Sequence, residues 1–125
     1  ETGKLDKNEI YPYNIEGLGK NLIPSATDFS VIDKFIKVTD KSSAYSSRLV
    51  TKKEGIFVGY TSGAVYQAII QLNDESYFNN DSNVVLIFPD HGSRYISKIY
   101  NDEWMINRGF FNKKEKNIVH QIEYV

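Results

Sequence analysis

The segment Gly59-Tyr60-Thr61-Ser62-Gly63-Ala64 carries two hydroxyls between glycines, directly after the apolar run Ile56-Phe57-Val58. A compact apolar run reads as a buried strand. A helix should follow, because Val65, Ala68, Ile69 and Leu72 recur at i, i+3, i+4 and i+7. A strand–turn–helix of this kind points the amides and the positive dipole end of the new helix at whatever lies beyond the strand. The glycines allow a tight turn and a close approach of backbone to ligand. Thr61 and Ser62 set their hydroxyls at the same edge. In open α/β sheets ligands bind outside the carboxyl ends of strands, where this turn falls. Read locally, a Ser/Thr helix cap with no further role fits equally well.

Other chemistries find less support. Gly59-Tyr60-Thr61-Ser62-Gly63 has the outline of a hydrolase nucleophile elbow with Thr in the centre, and it would need an acid and a later histidine. The chain has two histidines. His91, in Pro89-Asp90-His91-Gly92, reads as an exposed loop residue, and His120 lies in the tail with no partner pattern. Neither has a carboxylate at ligand spacing, so no metal site is expected. Glu16-Gly17-Leu18-Gly19 is too short for a dinucleotide fingerprint, and no Walker pattern occurs. A net charge of −1 with interspersed signs gives no pull towards nucleic acid or an anionic membrane. The nine tyrosines are not interleaved with bases as a single-strand binder requires. The absence of cysteine removes disulfides, thiolate metal sites and thiol nucleophiles. The longest apolar run, Val84 to Phe88, is far too short to span a bilayer. The polar first ten residues cannot be a secretory signal, and the sequence reads as starting in mid-protein. The expected compartment is the cytoplasm, with which the lack of cysteine is compatible.

The elements that must position the turn alternate. With 41% hydrophobic and 25% charged residues, a folded single domain over 1–125 is expected, with a polar lead-in at 1–10 and a polar tail at 112–125. Asn14 to Pro24 hold a glycine-punctuated turn, and Phe35 to Val38 can be a short strand. Asp40 offers an N-cap for a helix from Lys41 to Glu54, with Tyr45 and Leu49 paired on one face and Gly55 as C-cap. Asn73 to Asn83 read as a polar loop. Val84 to Phe88 is the strongest strand, and its unbroken apolar character suits a parallel strand covered on both faces. Pro89 stops it. Ser93 can cap a helix running to about Tyr100, and Asp102 a shorter one ending at Gly109. Ile118-Val119 and Ile122 suggest a last short strand. The class is α/β, a partial and mostly parallel sheet with flanking helices.

Four blocks in order resemble the cystathionine β-synthase and cysteine synthase family, fold type II of the pyridoxal-phosphate enzymes. They are Ile15-Glu16-Gly17-Leu18-Gly19 with Leu22-Ile23-Pro24, Glu54 to Gly59, Thr61-Ser62-Gly63-Ala64, and Phe88-Pro89-Asp90 with Arg94-Tyr95. Asp33 and Asp40 also fall where the family's acids tend to occur, and Asn101-Asp102-Glu103-Trp104-Met105 with Arg108-Gly109-Phe110 resembles the end of the cystathionine β-synthase core. The resemblance covers about residues 11 to 111. It implies part of the large domain of such an enzyme. It makes Thr61 the hydroxyl that bonds the pyridine nitrogen of pyridoxal phosphate, Pro89 and Asp90 the loop beside that nitrogen, and Glu16 and Gly17 the lining of the substrate side. A neutral hydroxyl there leaves the ring a weaker electron sink, which suits β-elimination. Glu16 resembles the cystathionine β-synthase branch, since Gln is common in the cysteine synthases.

The implied reaction of the intact enzyme joins serine to a thiol, homocysteine, giving cystathionine. In related enzymes O-acetylserine or cysteine is the first substrate and sulfide the second. Lys20 departs from the Tyr common in relatives and leaves the second substrate open. The family's Schiff-base lysine, substrate-carboxylate loop and phosphate cup lie upstream of the matched blocks, and the twelve lysines here sit in polar contexts that replace none of them. This chain alone is therefore expected to bind no pyridoxal phosphate and to supply no catalytic residue. The rival role is a non-catalytic folding or interaction fragment. A partial sheet has an uncovered edge and apolar face, so pairing with the missing half, or self-association as a homodimer, is expected.

Overall fold

A computed structural model describes residues 12–19 and 23–111 of the 125. Lys20, Leu22, His120 and the expected strand around Ile118–Ile122 lie outside the described residues, as do the lead-in and the tail. In order come a short 3-10 turn at Phe29–Val31, helix α1 (Asp40–Glu54), helix α2 (Tyr60–Asp74), a 3-10 turn at Gly92–Tyr95, and helix α3 (Asp102–Asn107).

Two of the expected helix N-caps shift by one residue. Thr39, not Asp40, caps α1. Its Oγ1 accepts from the Ser42 amide at 3.1 Å, and the Ser42 hydroxyl accepts from the Thr39 amide at 3.2 Å. Asn101, not Asp102, caps α3 through the Trp104 amide at 2.8 Å. The preceding residue is still extended in each case, so its side chain reaches back over the first turn and the acid behind it is released for longer-range bonds. Asp102 takes Arg48 Nη1 at 2.8 Å. Gly55 ends α1 at φ 70, as its type suggested.

Helices α1 and α2 pack through small residues. Ser43, Ala44, Ser46 and Ser47 of α1 are buried, as are Gly63 and Ala64 of α2. A Cβ on Gly63 would sit 2.1 Å from both the Ser43 carbonyl oxygen and Ser47 Oγ. Ser47 Oγ bonds the Gly59 carbonyl at 3.0 Å, which ties the start of α2 to the middle of α1. The expected apolar face Val65, Ala68, Ile69 and Leu72 is only half-buried, and the fully buried part of α2 is its first turn. The core gathers Ile15, Ala44, Tyr60, Ala64, Tyr95, Ile99, Met105 and Phe111.

The expected strands form no ladder among the described residues. The pairing there is one isolated antiparallel bridge, Val58 to His91, made by Gly59 N–H to the Asp90 carbonyl and Gly92 N–H to the Phe57 carbonyl, both 2.9 Å. Side chains satisfy other carbonyls that a neighbouring strand would take. Thr51 Oγ1 donates to Ile56 O at 3.0 Å, and Tyr100 OH donates to Val58 O at 2.6 Å. Val84 to Phe88, expected to be covered on both faces, leaves Val85 88% and Ile87 75% exposed. Phe35 in the other expected strand is 63% exposed. A parallel strand needs a neighbour in the ladder and a layer on each face, and these ninety-odd described residues supply neither around 84–88. The expected helix from Ser93 to Tyr100 is the 3-10 turn Gly92–Tyr95 followed by further turns, and His91 Nδ1 caps it through the Ser93 amide at 3.3 Å.

Gly63→Ala should lower stability by roughly 1–3 kcal/mol or more, because backbone and a short side chain occupy the space. Gly55→Ala should cost only about 1 kcal/mol of left-handed strain, since nothing lies within 4 Å of its added methyl. Urea midpoints of the two variants would separate these causes, and equal losses would contradict the tight crossing.

Candidate functional site

The turn at Gly59 draws the sequence's candidate residues together. Gly59 Cα lies against the Asp90 side chain so closely that a Cβ would sit 1.9 Å from Asp90 Oδ1. Asp90 is held here by the backbone bond from Gly59 and by the Tyr95 hydroxyl, which donates to Oδ2 at 2.7 Å. Asp90 Oδ1 is buried with no hydrogen-bond partner among the described residues. Thr61 Oγ1 donates to the Glu16 carbonyl at 2.9 Å. Gly17, at φ 90, lies beside Thr61: a Cβ there would be in ordinary contact with Thr61 Oγ1, at 3.7 Å. Glu16, Gly17, Thr61 and Asp90 thus share one end of α2. Pro89 is exposed and comes to the site only as the residue before Asp90.

The local reading of a hydroxyl cap does not hold. Gly59 is the N-cap of α2 and makes no side-chain cap bond. Thr61 is free of capping and faces the Glu16 turn. Ser62, expected at the same edge, is fully buried, and its Oγ has no partner among the described residues. The hydrolase reading also fails on partners: Thr61 bonds Glu16, while His91 bonds Ser93 and stacks edge-on against Phe57 at 5.1 Å.

Three contributors were not visible as such in the sequence. Lys98 pairs with the Glu16 carboxylate across 82 residues. Tyr95 carried family likeness but no assigned bond, and it is the partner of Asp90. Tyr60 is 1% exposed and donates to the Asp40 carbonyl at 2.8 Å. No periodic or motif signal announces contacts of this range. Burial, then the Asp90 bond and charge, push the Tyr95 phenol well above the ordinary tyrosine value. Burial, then the Asp40 charge, do the same to Tyr60 against an opposing Arg108. Burial also raises Tyr100.

A groove of about 330 Å³ runs beside the later turns of α2, lined by Tyr66, Ile69, Ile70, Phe78 and Val84 among others. None of its lining residues belongs to the Gly59–Thr61 turn. Among the described residues no group of three or more His, Cys, Asp or Glu could hold a metal ion, and no helix is long and apolar enough to cross a membrane.

The family model described as pyridoxal-phosphate dependent enzyme matches residues 1–90. The chain belongs to the pyridoxal-phosphate dependent enzymes. It is 30% identical over 118 residues to the cystathionine β-synthase of Oryctolagus cuniculus, covering 94% of this chain and 21% of that protein. It is 34% identical over 102 residues to the cystathionine β-synthase of Saccharomyces cerevisiae, covering 81% of this chain and 20% of that protein. A cysteine synthase of Buchnera aphidicola is 38% identical over 98 residues, 77% of this chain and 30% of the relative. The chain therefore spans a fifth to a third of these relatives. A solved O-ureido-L-serine synthase, a lysine-to-alanine mutant with O-ureido-L-serine bound, superposes with a TM-score of 0.67 at 25% identity, over 87% of this chain and 36% of that one.

The raised tyrosines set an alkaline limit. Their neutral forms are favoured in the fold, so the stability they add is present below about pH 10, the ordinary tyrosine value, and is lost as pH rises towards their folded values. Phenolate absorbance of Tyr60 and Tyr95 should therefore appear only together with loss of α-helix in an alkaline titration. Phenolate from Tyr95 with the helices intact, read as a difference from Tyr95→Phe, would contradict the buried Asp90 pairing.

Proposed function

We propose that this chain is part of the large domain of a pyridoxal-phosphate-dependent β-replacement enzyme of the cystathionine β-synthase kind, joining serine and homocysteine, and that it acts in the cytoplasm. The observation that carries the reading is the meeting of Thr61, Glu16 and Gly17 at the start of α2. The residues present fit the cofactor. Thr61 has one proton and two lone pairs. In the described structure the proton goes to Glu16 O, and turning it away leaves a donor for a pyridine nitrogen. Pyridoxal phosphate would supply the electron sink for loss of the α-proton, and the electron pair so held would then expel the β-substituent.

What the chain's residues do is position and tune. Thr61, a neutral donor, would hold the ring nitrogen without protonating it. Gly17, lacking a side chain at φ 90, would leave the substrate side open. The Lys98–Glu16 pair would place one positive and one negative charge at the rim. Pro89 and Asp90 would close the site beside the nitrogen, with Asp90 held by Tyr95. We place the extended runs 35–38, 56–58 and 84–88 in one mostly parallel sheet completed by the remainder of the large domain. The exposure of Val85 and Ile87 supports that assembly, and a homodimer of the intact enzyme follows the same logic. The Schiff-base lysine would come from that remainder, and the chain alone would be inactive.

A second reading is a cysteine synthase using O-acetylserine and sulfide, favoured by the 38% identity to one such enzyme. The deciding experiment takes the protein as it occurs in its source and measures intact mass, cofactor absorbance and turnover. Cystathionine from serine and homocysteine is the expected result, and cysteine from O-acetylserine and sulfide would move the assignment to the second reading. A species of 14.4 kDa with neither chromophore nor turnover would overturn both and favour a folding or interaction fragment. In the active protein Thr61→Ser should keep cofactor affinity, and Thr61→Val should weaken it by about tenfold, the worth of one hydrogen bond.

A further inference from the structure

Asp40 is the first residue of α1, and Thr39 already caps that helix. Its carboxylate is therefore spare, and it reaches 25 and 26 residues back along the chain. Oδ2 accepts from the Asn14 amide at 2.7 Å and from Asn14 Nδ2 at 2.9 Å, and Oδ1 accepts from the Ile15 amide at 3.3 Å. The Asp40 carbonyl accepts from Tyr60 OH at 2.8 Å. Tyr60 is the residue before Thr61, and Thr61 Oγ1 donates to Glu16 O. The bonds close a ring: Asp40 to Asn14 and Ile15, along the chain to Glu16, across to Thr61, and back through Tyr60.

We infer that Asp40 and Tyr60 are positioning residues that hold the Glu16–Gly17 turn against Thr61. No ladder or helix holds residues 14–17 among the described residues, so this ring, the burial of Ile15 and the Lys98–Glu16 pair are what fix the turn. Glu16 O competes for the one proton of Thr61. Its placement decides whether that proton stays with the protein or turns to a ligand, so Asp40 governs the hydroxyl without touching it. The link to catalysis rests on the function proposed above; the clamp itself rests only on the bonds.

Amide hydrogen exchange of the full chain tests the clamp. In Asp40→Asn the Asn14 and Ile15 amides should exchange about tenfold faster, the loss expected for one charge-assisted bond, while the interior amides of α1 and α2 keep their rates. Tyr60→Phe keeps the ring packing, removes only the hydroxyl, and should speed the same two amides to a lesser degree. Unchanged rates at Asn14 and Ile15 in both variants overturn the clamp, and so does a uniform rise across α1 and α2, which marks a merely structural acid. In the intact holoenzyme Asp40→Asn should raise KM for the amino-acid substrate by about tenfold with kcat held, as a displaced turn loses substrate binding. Wild-type KM and kcat beside altered exchange overturn the positioning role. A protein that takes up no pyridoxal phosphate overturns the function proposed above instead, and leaves the exchange result standing.

Discussion

The close crossing of α1 and α2 at Gly63 is the constraint on which the site depends. No side chain fits there, so α1 lies against the backbone of the first turn of α2. That proximity lets Ser47 bond the Gly59 carbonyl and lets Tyr60 reach Asp40 across the interface. With Tyr60 committed inwards, the helical twist turns the next residue, Thr61, towards Glu16. A wider crossing with larger residues would bury more apolar surface per pair, but it would carry the turn away from the 14–17 segment. The small-residue interface gives up burial for placement, and short polar bonds such as Ser46 to Gln67 recover part of that loss.

Acids freed from capping do the long-range work. Asp40 and Asp102 both stand one place inside a helix whose cap is the residue before, and each reaches a distant partner. Asp102 takes Arg48, whose guanidinium also covers the Phe111 ring at 4.8 Å. Asp40 takes the amides of Asn14 and Ile15. A carboxylate at the first turn of a helix also meets the positive end of the dipole, so both positions favour an acid before any partner arrives. Asp90 is different: one of its oxygens is buried with no hydrogen-bond partner among the described residues, and the Tyr95 bond and the backbone bridge keep it in place.

The sequence by itself determined a good deal. Periodicity and cap chemistry placed α1 to within a residue, Gly55 as its end and a helix after the Gly59 turn, because those signals are local and act over one or two turns. Block order indicated the family that the comparisons then showed, and its Thr61, Glu16, Gly17 and Asp90 come together at one end of α2. What depends on neighbours was not legible in the sequence. An apolar run such as Val84 to Phe88 states a need for cover, not the presence of it, and the strand ladder it implied is missing among the described residues. The helix expected after Ser93 became a 3-10 turn because Gly92 is buried against the Phe57 ring and bonds its carbonyl. Only the tertiary structure decided that Tyr60 points inwards, that Ser62 is buried while Thr61 is not, and that Lys98 and Tyr95 join the site. Those contacts join residues up to 82 positions apart, and their geometry follows from how closely two helices can approach, which no local pattern encodes.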